Sequence, residues 1–370
     1  MKKHEIDYIT VRGFKSIAAI EKLELGPINI IIGANGSGKS NFLGVFSFLH
    51  AIREGRLNSY VREAGGAGNL LHFGTKVTKE IIIELSFEDQ VNQYEIALRP
   101  DSEDNLYPDR EITKFWDKAK YSKPYETFLQ ARNGGTEAGI SNPKSQGIAD
   151  WIRTRLGRWR LYHFHDTSSS SPLRKTAQLH DNQFLRYDGS NLPAFLYLLK
   201  EKHPDSYKLI CKAIRLAIPF FEDFNLVFDP LNPEFIRLAW IHKGSDKYFG
   251  ASALSDGSMR FIALTVLFLQ PEEFRPSIII VDEPELGLHP SAITILASLI
   301  KQVSFETQVI VSTQSALLLD HFEPEDILVA NRENESTVFR RLDPKDLEEW
   351  MEDFSLGQLW EKNQFGGRPE

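Results

Sequence analysis

Residues 28–46 read Ile28-Asn29-Ile30-Ile31-Ile32-Gly33-Ala34-Asn35-Gly36-Ser37-Gly38-Lys39-Ser40-Asn41-Phe42-Leu43-Gly44-Val45-Phe46. An apolar run ends at Gly33, and a helix-like stretch begins at Lys39. Between them lies G-x-x-x-x-G-K-S, the pattern of a phosphate-cradling loop between a strand and a helix. Glycines let the backbone curl so that successive N–H groups point at one anion. The helix that starts there adds the positive end of its dipole. Lys39 is placed to reach β- and γ-phosphates, and the Ser40 hydroxyl to hold Mg²⁺. Asn35, Gly36, Ser37, Gly38 and Asn41 complete the expected nucleotide contacts. A glycine-rich turn arising by chance would lack these flanks.

A second stretch says what kind of nucleotide site this is. Ile278-Ile279-Ile280-Val281-Asp282-Glu283-Pro284-Glu285-Leu286-Gly287-Leu288-His289-Pro290 is a β-branched run ending in two carboxylates. Such a run reads as a buried parallel strand. Ligands of open α/β sheets bind at the carboxyl edge where Asp282 and Glu283 fall. Asp282 is then the Mg²⁺ carboxylate and Glu283 the base that polarises the attacking water. The bland alternative is a solvated turn.

Ala253-Leu254-Ser255-Asp256-Gly257-Ser258-Met259-Arg260 lies upstream of Asp282, and Ser255 there is a natural N-cap. In this order the three motifs resemble the ABC-type ATPase heads of RecF, SMC and OLD proteins. In that resemblance Ser255 and Gly257 bind the γ-phosphate of a nucleotide held by a second subunit. Gln308-Val309-Ile310-Val311-Ser312-Thr313-Gln314 is a further short strand and polar turn. ABC ATPases carry a switch histidine at such a place, and Gln314 stands there instead. Glutamine still donates a hydrogen bond to phosphate but carries no charge. The glutamine loop of those ATPases has no clear counterpart.

Arg12-Gly13-Phe14-Lys15-Ser16 is similar to the first strand of RecF- and SMC-type heads. Trp159-Arg160-Leu161-Tyr162-His163-Phe164-His165-Asp166-Thr167-Ser168 and Phe354-Ser355-Leu356-Gly357-Gln358-Leu359-Trp360 resemble small stand-alone bacterial ATPases related to the OLD family but lacking a fused Toprim nuclease. The resemblance implies an α/β P-loop NTPase of ABC-ATPase (RecF/SMC head) type. It implies an antiparallel β subdomain, a mostly helical insertion and no long coiled coil, since no heptad repeat is present. It implies ATP and Mg²⁺ as ligands and a homodimer through ATP-sandwiched heads. It further implies a separate Toprim-like nuclease partner in anti-phage defence. The alternative is a RecF-like DNA-binding repair or replication factor with no nuclease partner.

The expected organisation is a split head. Residues 1–100 form its first half, 101–235 an insertion, 236–342 its second half and 343–370 a terminal helix and tail. Within the insertion, 101–150 is polar, and Gly134–Gly139 reads as a mobile loop. Leu347, Trp350, Met351 and Phe354 make an apolar stripe that docks on the core or receives a partner.

Composition narrows the class further. At 370 residues, 42% hydrophobic and 25% charged, the chain is ordinary for a globular protein. The lone Cys211 precludes an intrachain disulfide, which fits a reducing cytoplasm. Met1-Lys2-Lys3-His4-Glu5 shows no leader, and no apolar run is long enough to span a bilayer. The net charge of −8 argues against uniform DNA coating. Local basic character gathers at Arg153, Arg155, Arg158, Arg160, Arg174 and Lys175, with Trp151 and Trp159 interleaved. That pattern suits DNA, a solvated helix face or a subunit contact equally. His163, His165 and Asp166 offer metal donors at strand spacing, or serve structure alone.

Overall fold

The computed structural model describes residues 5–366 apart from 167 and 169. Most of the absent-leader reading at 1–4, and part of the serine run 168–171, lie outside the described residues.

The apolar runs build a central six-stranded sheet. Its members are β3 (Ile28–Ile32), β8 (Trp159–Tyr162), β13 (Ile278–Asp282), β14 (Gln308–Thr313), β15 (Ile327–Glu333) and β16 (Ser336–Arg341), in the order β16-β15-β3-β14-β13-β8. All neighbours pair in parallel except β15 and β16. Both faces are covered, which is why β3 and β13 are aliphatic apart from buried Asn29 and the terminal Asp282. Alternate residues serve two cores. Ile279, Val281, Val309 and Val311 pack against helices Leu192–Lys202, Pro204–Ala217, Asp256–Leu269 and Pro290–Val303. Ile278, Ile280, Ile310 and Leu328 face the P-loop helix Lys39–Arg53 and a second sheet.

That second sheet is antiparallel, in the order β2-β1-β4-β5-β6-β7: β1 (Tyr8–Phe14), β2 (Ile17–Glu24), β4 (Ile81–Phe87), β5 (Asn92–Pro100), β6 (Leu106–Phe115) and β7 (Tyr125–Phe128). The hairpin expected across residues 88–92 joins β4 and β5. Its turn holds Glu88, Asp89 and Gln90 at positive φ. Asp7 stabilises it by accepting hydrogen bonds from the Asp89 and Gln90 N–H groups at 3.1 and 2.9 Å.

Residues 101–235 do not form one inserted unit. β6 and β7 extend the antiparallel sheet, and β8 is an edge strand of the central one. A separate sheet of β9 (Ala177–Gln178), β10 (Phe221–Phe228), β11 (Phe235–His242) and β12 (Tyr248–Gly250) packs with helices Leu192–Lys202 and Pro204–Ala217. The polar composition of 101–150 conceals β6, which is half solvent-facing. Its charges pair across strands, with Glu95 bonded to Arg110 and, at 2.9 Å, to Lys114. The glycine-rich loop is likewise tied down. Buried Glu137 accepts from the N–H groups of Leu57 and Asn58 at 2.9 and 3.3 Å, the first turn of a short helix. Buried Glu111 accepts from Gly139 and Ile140 N–H and from the Tyr94 hydroxyl at 2.6, 2.9 and 2.8 Å.

No described helix is long and apolar enough to cross a membrane. The expected C-terminal stripe is broken: one helix ends at Met351 and another runs Leu356–Glu361. Leu347 is buried, while Trp350 and Met351 remain exposed.

Candidate functional site

The loops after β3, β13 and β14 converge at one edge of the central sheet, because neighbouring parallel strands bring their carboxyl ends together. The P-loop needs its glycines individually. Gly36 and Gly38 have φ of 80° and 101°, where side chains are strained. A Cβ on Gly38 would lie 1.9 Å from the Thr337 hydroxyl oxygen, and one on Gly33 2.3 Å from the Ala330 carbonyl oxygen. The loop is therefore pressed against β15 and β16 from behind.

Lys39 folds back along the loop, donating to the carbonyl oxygens of Gly33 and Ala34 at 2.7 and 3.0 Å. Burial pushes its ammonium below the usual lysine range, and Glu283, Asp282 and Glu285 push back. The Ser37 hydroxyl is buried without a partner, whereas Ser40 is exposed at the mouth. The Asn41 amide turns to the rear and donates to the Ser16 hydroxyl at 2.8 Å, which in turn meets Thr337 at 2.7 Å. Ser16, from the stretch likened to RecF- and SMC-type heads, thus braces the P-loop helix.

Asp282 is oriented by the Ser312 hydroxyl, which donates to Oδ1. Glu283 sits at φ 41°, held there by its N–H donating to the Ser312 carbonyl at 2.9 Å. Such a conformation in a non-glycine residue costs free energy and aims the carboxylate into the site. Gln314 Nε2 bridges the loops, donating to Asn35 Oδ1 at 2.8 Å and to Glu283 Oε1. Behind it Glu285, buried, accepts from the Thr313 hydroxyl at 2.5 Å and the Gln314 N–H at 3.1 Å. Burial pushes its carboxyl above the usual range, opposed by those hydrogen bonds. Glu285 escaped sequence reading, although its place three residues after Asp282 was visible.

Ser255 caps its helix by accepting from the Ser258 N–H at 3.2 Å. A Cβ on Gly257 would lie 2.1 Å from the Gly287 carbonyl oxygen, so this glycine lets the helix touch the loop after β13. Among the described residues no hydrogen bond joins Ser255 or Gly257 to the P-loop of the same chain. The sequence reading also missed Arg260. Its guanidinium donates to Phe164 O at 2.9 Å, His165 O at 3.0 Å and Leu286 O. It thereby ties the helix Asp256–Leu269 to the tip of β8 and to the loop after β13.

The tip of β8 beside Asp282 carries two histidines and no glutamine. His165 Nε2 stands 4.0 Å from Asp282 Oδ2. Asp166, the expected third metal donor, points elsewhere and accepts from the Ser168 N–H and hydroxyl at 3.0 and 2.7 Å.

Several arginines of the basic stretch are bonded within the chain. Arg155 pairs with buried Glu5 at 2.6 Å and lies 4.0 Å over the Trp151 ring. Arg158 bonds the Arg275 carbonyl, and Arg160 those of Gly157 and Trp159. Arg174 reaches Asp256 and the carbonyls of Ala251 and Leu254. Arg158 and Lys175 remain exposed on the surface.

Three-layer packing, a P-loop on β3 and paired carboxylates ending β13 define a P-loop ATPase domain with the ABC-type fold of SMC heads. The chain belongs to the family described as "AAA domain, putative AbiEii toxin, Type IV TA system", whose profile matches residues 28–320. Among solved structures, it is similar to an SMC head bound to the C-winged helix domain of ScpA. That likeness has 17% identity and a TM-score of 0.60, covering 94% of this chain and all of the other. It is also similar to the Pyrococcus furiosus SMC head with an extended coiled coil, bound to the C-terminal domain of ScpA. Identity there is 14% and the TM-score 0.59, covering 94% and 99% of the two chains. At these identities the likeness concerns the fold. No curated protein matches the sequence.

The position of Gln314 yields a direct expectation. Gln314→Ala removes the amide donor and should lower ATP turnover at least about tenfold, the worth of a hydrogen bond to a charged group. Gln314→His restores a donor and should keep or raise turnover. Steady-state phosphate release measures both; an alanine variant as fast as the parent makes the residue structural only.

Proposed function

We propose that this protein binds and hydrolyses ATP and uses the cycle as a switch between two copies of itself. The observation that carries the reading is the Gln314 bridge, which links the P-loop at Asn35 to the carboxylate at Glu283. It spans strands far apart in sequence at the edge where such sheets bind ligands.

The cradle fits a triphosphate. Gly36 and Gly38 curl the loop, the Ser37 hydroxyl lies buried and unpaired, and the Lys39 ammonium rests on carbonyl oxygens that a phosphate would replace as its partners. Ser40 and Asp282 fit a hard cation through oxygen. When bound, Mg²⁺ neutralises charge developing on the β- and γ-phosphate oxygens. Lys39 adds a charge-assisted contact to the same oxygens. Glu283 accepts a proton from the attacking water; Gln314 keeps one N–H on Glu283 and turns the other from Asn35 to the γ-phosphate. Ser255 and Gly257, not bonded to their own P-loop, serve the nucleotide of the second copy. ATP binding then closes a head-to-head homodimer, and hydrolysis opens it.

The finer reading is an OLD-related ATPase that acts through a separate Toprim-like nuclease subunit in anti-phage defence. Its support is the resemblance of residues 159–168 and 354–360. The RecF-like alternative needs a DNA-facing surface on this chain. The internal pairing of Arg155, Arg158, Arg160 and Arg174 weighs against the stretch that would supply it.

Lys39→Ala tests nucleotide binding. It removes a contact worth about 1.5–3 kcal/mol, so ATP affinity should fall roughly tenfold or more. Isothermal titration with ATP and Mg²⁺ reads it, and unchanged affinity sinks the P-loop assignment.

A further inference from the structure

We propose that His163, His165 and Asp282 form a binding site for a borderline divalent transition cation, of which Zn²⁺ is the representative. The donor atoms of the three side chains all lie within 4.8 Å of one another. The site arises from sheet register. β8 and β13 run parallel with Tyr162 opposite Val281, so His163 follows where Asp282 ends β13. His163 and His165, two residues apart on an extended backbone, present one face to that carboxylate. Among the described residues no hydrogen bond joins the three side chains to one another, and the closest approach of His165 to Asp282 is 4.0 Å. Donor atoms of a tetrahedral zinc site, about 2.0–2.2 Å from the metal, stand roughly 3.3 Å apart. Small rotations of the two imidazoles, one of them exposed, cover the difference.

Contacts to Asp282 and to the backbone of the two histidines set where these donors sit. Asp282 accepts from Ser312 through Oδ1, which leaves Oδ2 toward His165. The His163 backbone N–H donates to the Tyr187 carbonyl at 3.0 Å, which fixes the main chain at that position. The carbonyls of Phe164 and His165 are held by Arg260, and the Phe164 ring is buried in the core between the two histidines. Two imidazoles and one carboxylate suit zinc, manganese or iron rather than magnesium, which prefers oxygen throughout. Three protein donors leave coordination positions open. Because Asp282 also belongs to the proposed nucleotide site, a metal here would sit against the bound nucleotide.

The test uses the full chain without nucleotide, so that its failure leaves the ATPase reading untouched. Calorimetric titration with Zn²⁺ alone should show one equivalent bound with micromolar affinity or tighter, and Mg²⁺ alone should bind at least a hundredfold more weakly. His163→Ala and His165→Ala should each weaken Zn²⁺ at least tenfold, and the double variant should lose the equivalent. His163→Asn with His165→Gln keeps side-chain size should the alanine variants fail to fold. Circular dichroism of the metal-free proteins establishes that they are folded. A parent that binds no stoichiometric Zn²⁺ overturns the proposal. So does a folded double variant that binds as the parent does, since the metal then sits elsewhere.

Discussion

Glu283→Gln is expected to bind ATP and Mg²⁺ like the parent yet hydrolyse ATP about 10²–10⁴-fold more slowly, the usual contribution of a positioned general base. The amide keeps the shape of the side chain and can still meet Gln314 after a flip, but it takes no proton from water. The backbone at φ 41° is set by the Glu283 N–H bond to Ser312, so the substitution leaves the loop as it is. A second consequence follows from the proposed cycle. With opening blocked, ATP and Mg²⁺ should hold the variant as a dimer in sedimentation velocity. Parental turnover would remove Glu283 from the base role. A slow variant that stays monomeric at saturating ATP would keep the base and discard the head-to-head dimer.

Arg260→Ala is expected to destabilise the protein by about 2–4 kcal/mol, because it strips donors from three carbonyls that are buried or half-buried. The loss should appear as a lower denaturant midpoint at unchanged slope. The site should suffer too. Arg260 is the shared tie between the β8 tip, the loop after β13 and the helix capped by Ser255. The folded variant should therefore turn ATP over more slowly while Lys39 still binds nucleotide. Arg260→Lys should fall between, since one ammonium lacks the planar fork that reaches several carbonyls at once. An unfolding free energy within about 0.5 kcal/mol of the parent's would show that water replaces those bonds without penalty.

What could be read along the chain was whatever local pattern carries. Predominantly aliphatic runs identify strands buried on both faces, and β3 and β13 are such runs despite Asn29. The P-loop reads because its glycines answer a local backbone demand. Ser255 reads as a cap because capping is a matter of three residues. The partners of the arginine-rich stretch were not legible for the opposite reason. Helical and strand spacing show where charges cluster, but not that Glu5, Arg275 O or Asp256 lies in wait for them. β6 was hidden because a strand with one wet face, its charges satisfied across the sheet, looks like loop composition.

The sequence by itself therefore determined the sheet-and-loop class of the domain, the phosphate cradle and the pair of carboxylates at Asp282 and Glu283. Each depends on residues adjacent in the chain. Only the tertiary structure decided that Gln314 spans Asn35 and Glu283, that Glu285 supports the turn beneath it, and that Arg260 gathers three loops. It also exchanged Asp166 for Asp282 as the neighbour of the two histidines. Those pairings join residues far apart in sequence. They are set by strand order and register, which bring the carboxyl ends of β3, β8, β13 and β14 to one edge and which no local period encodes.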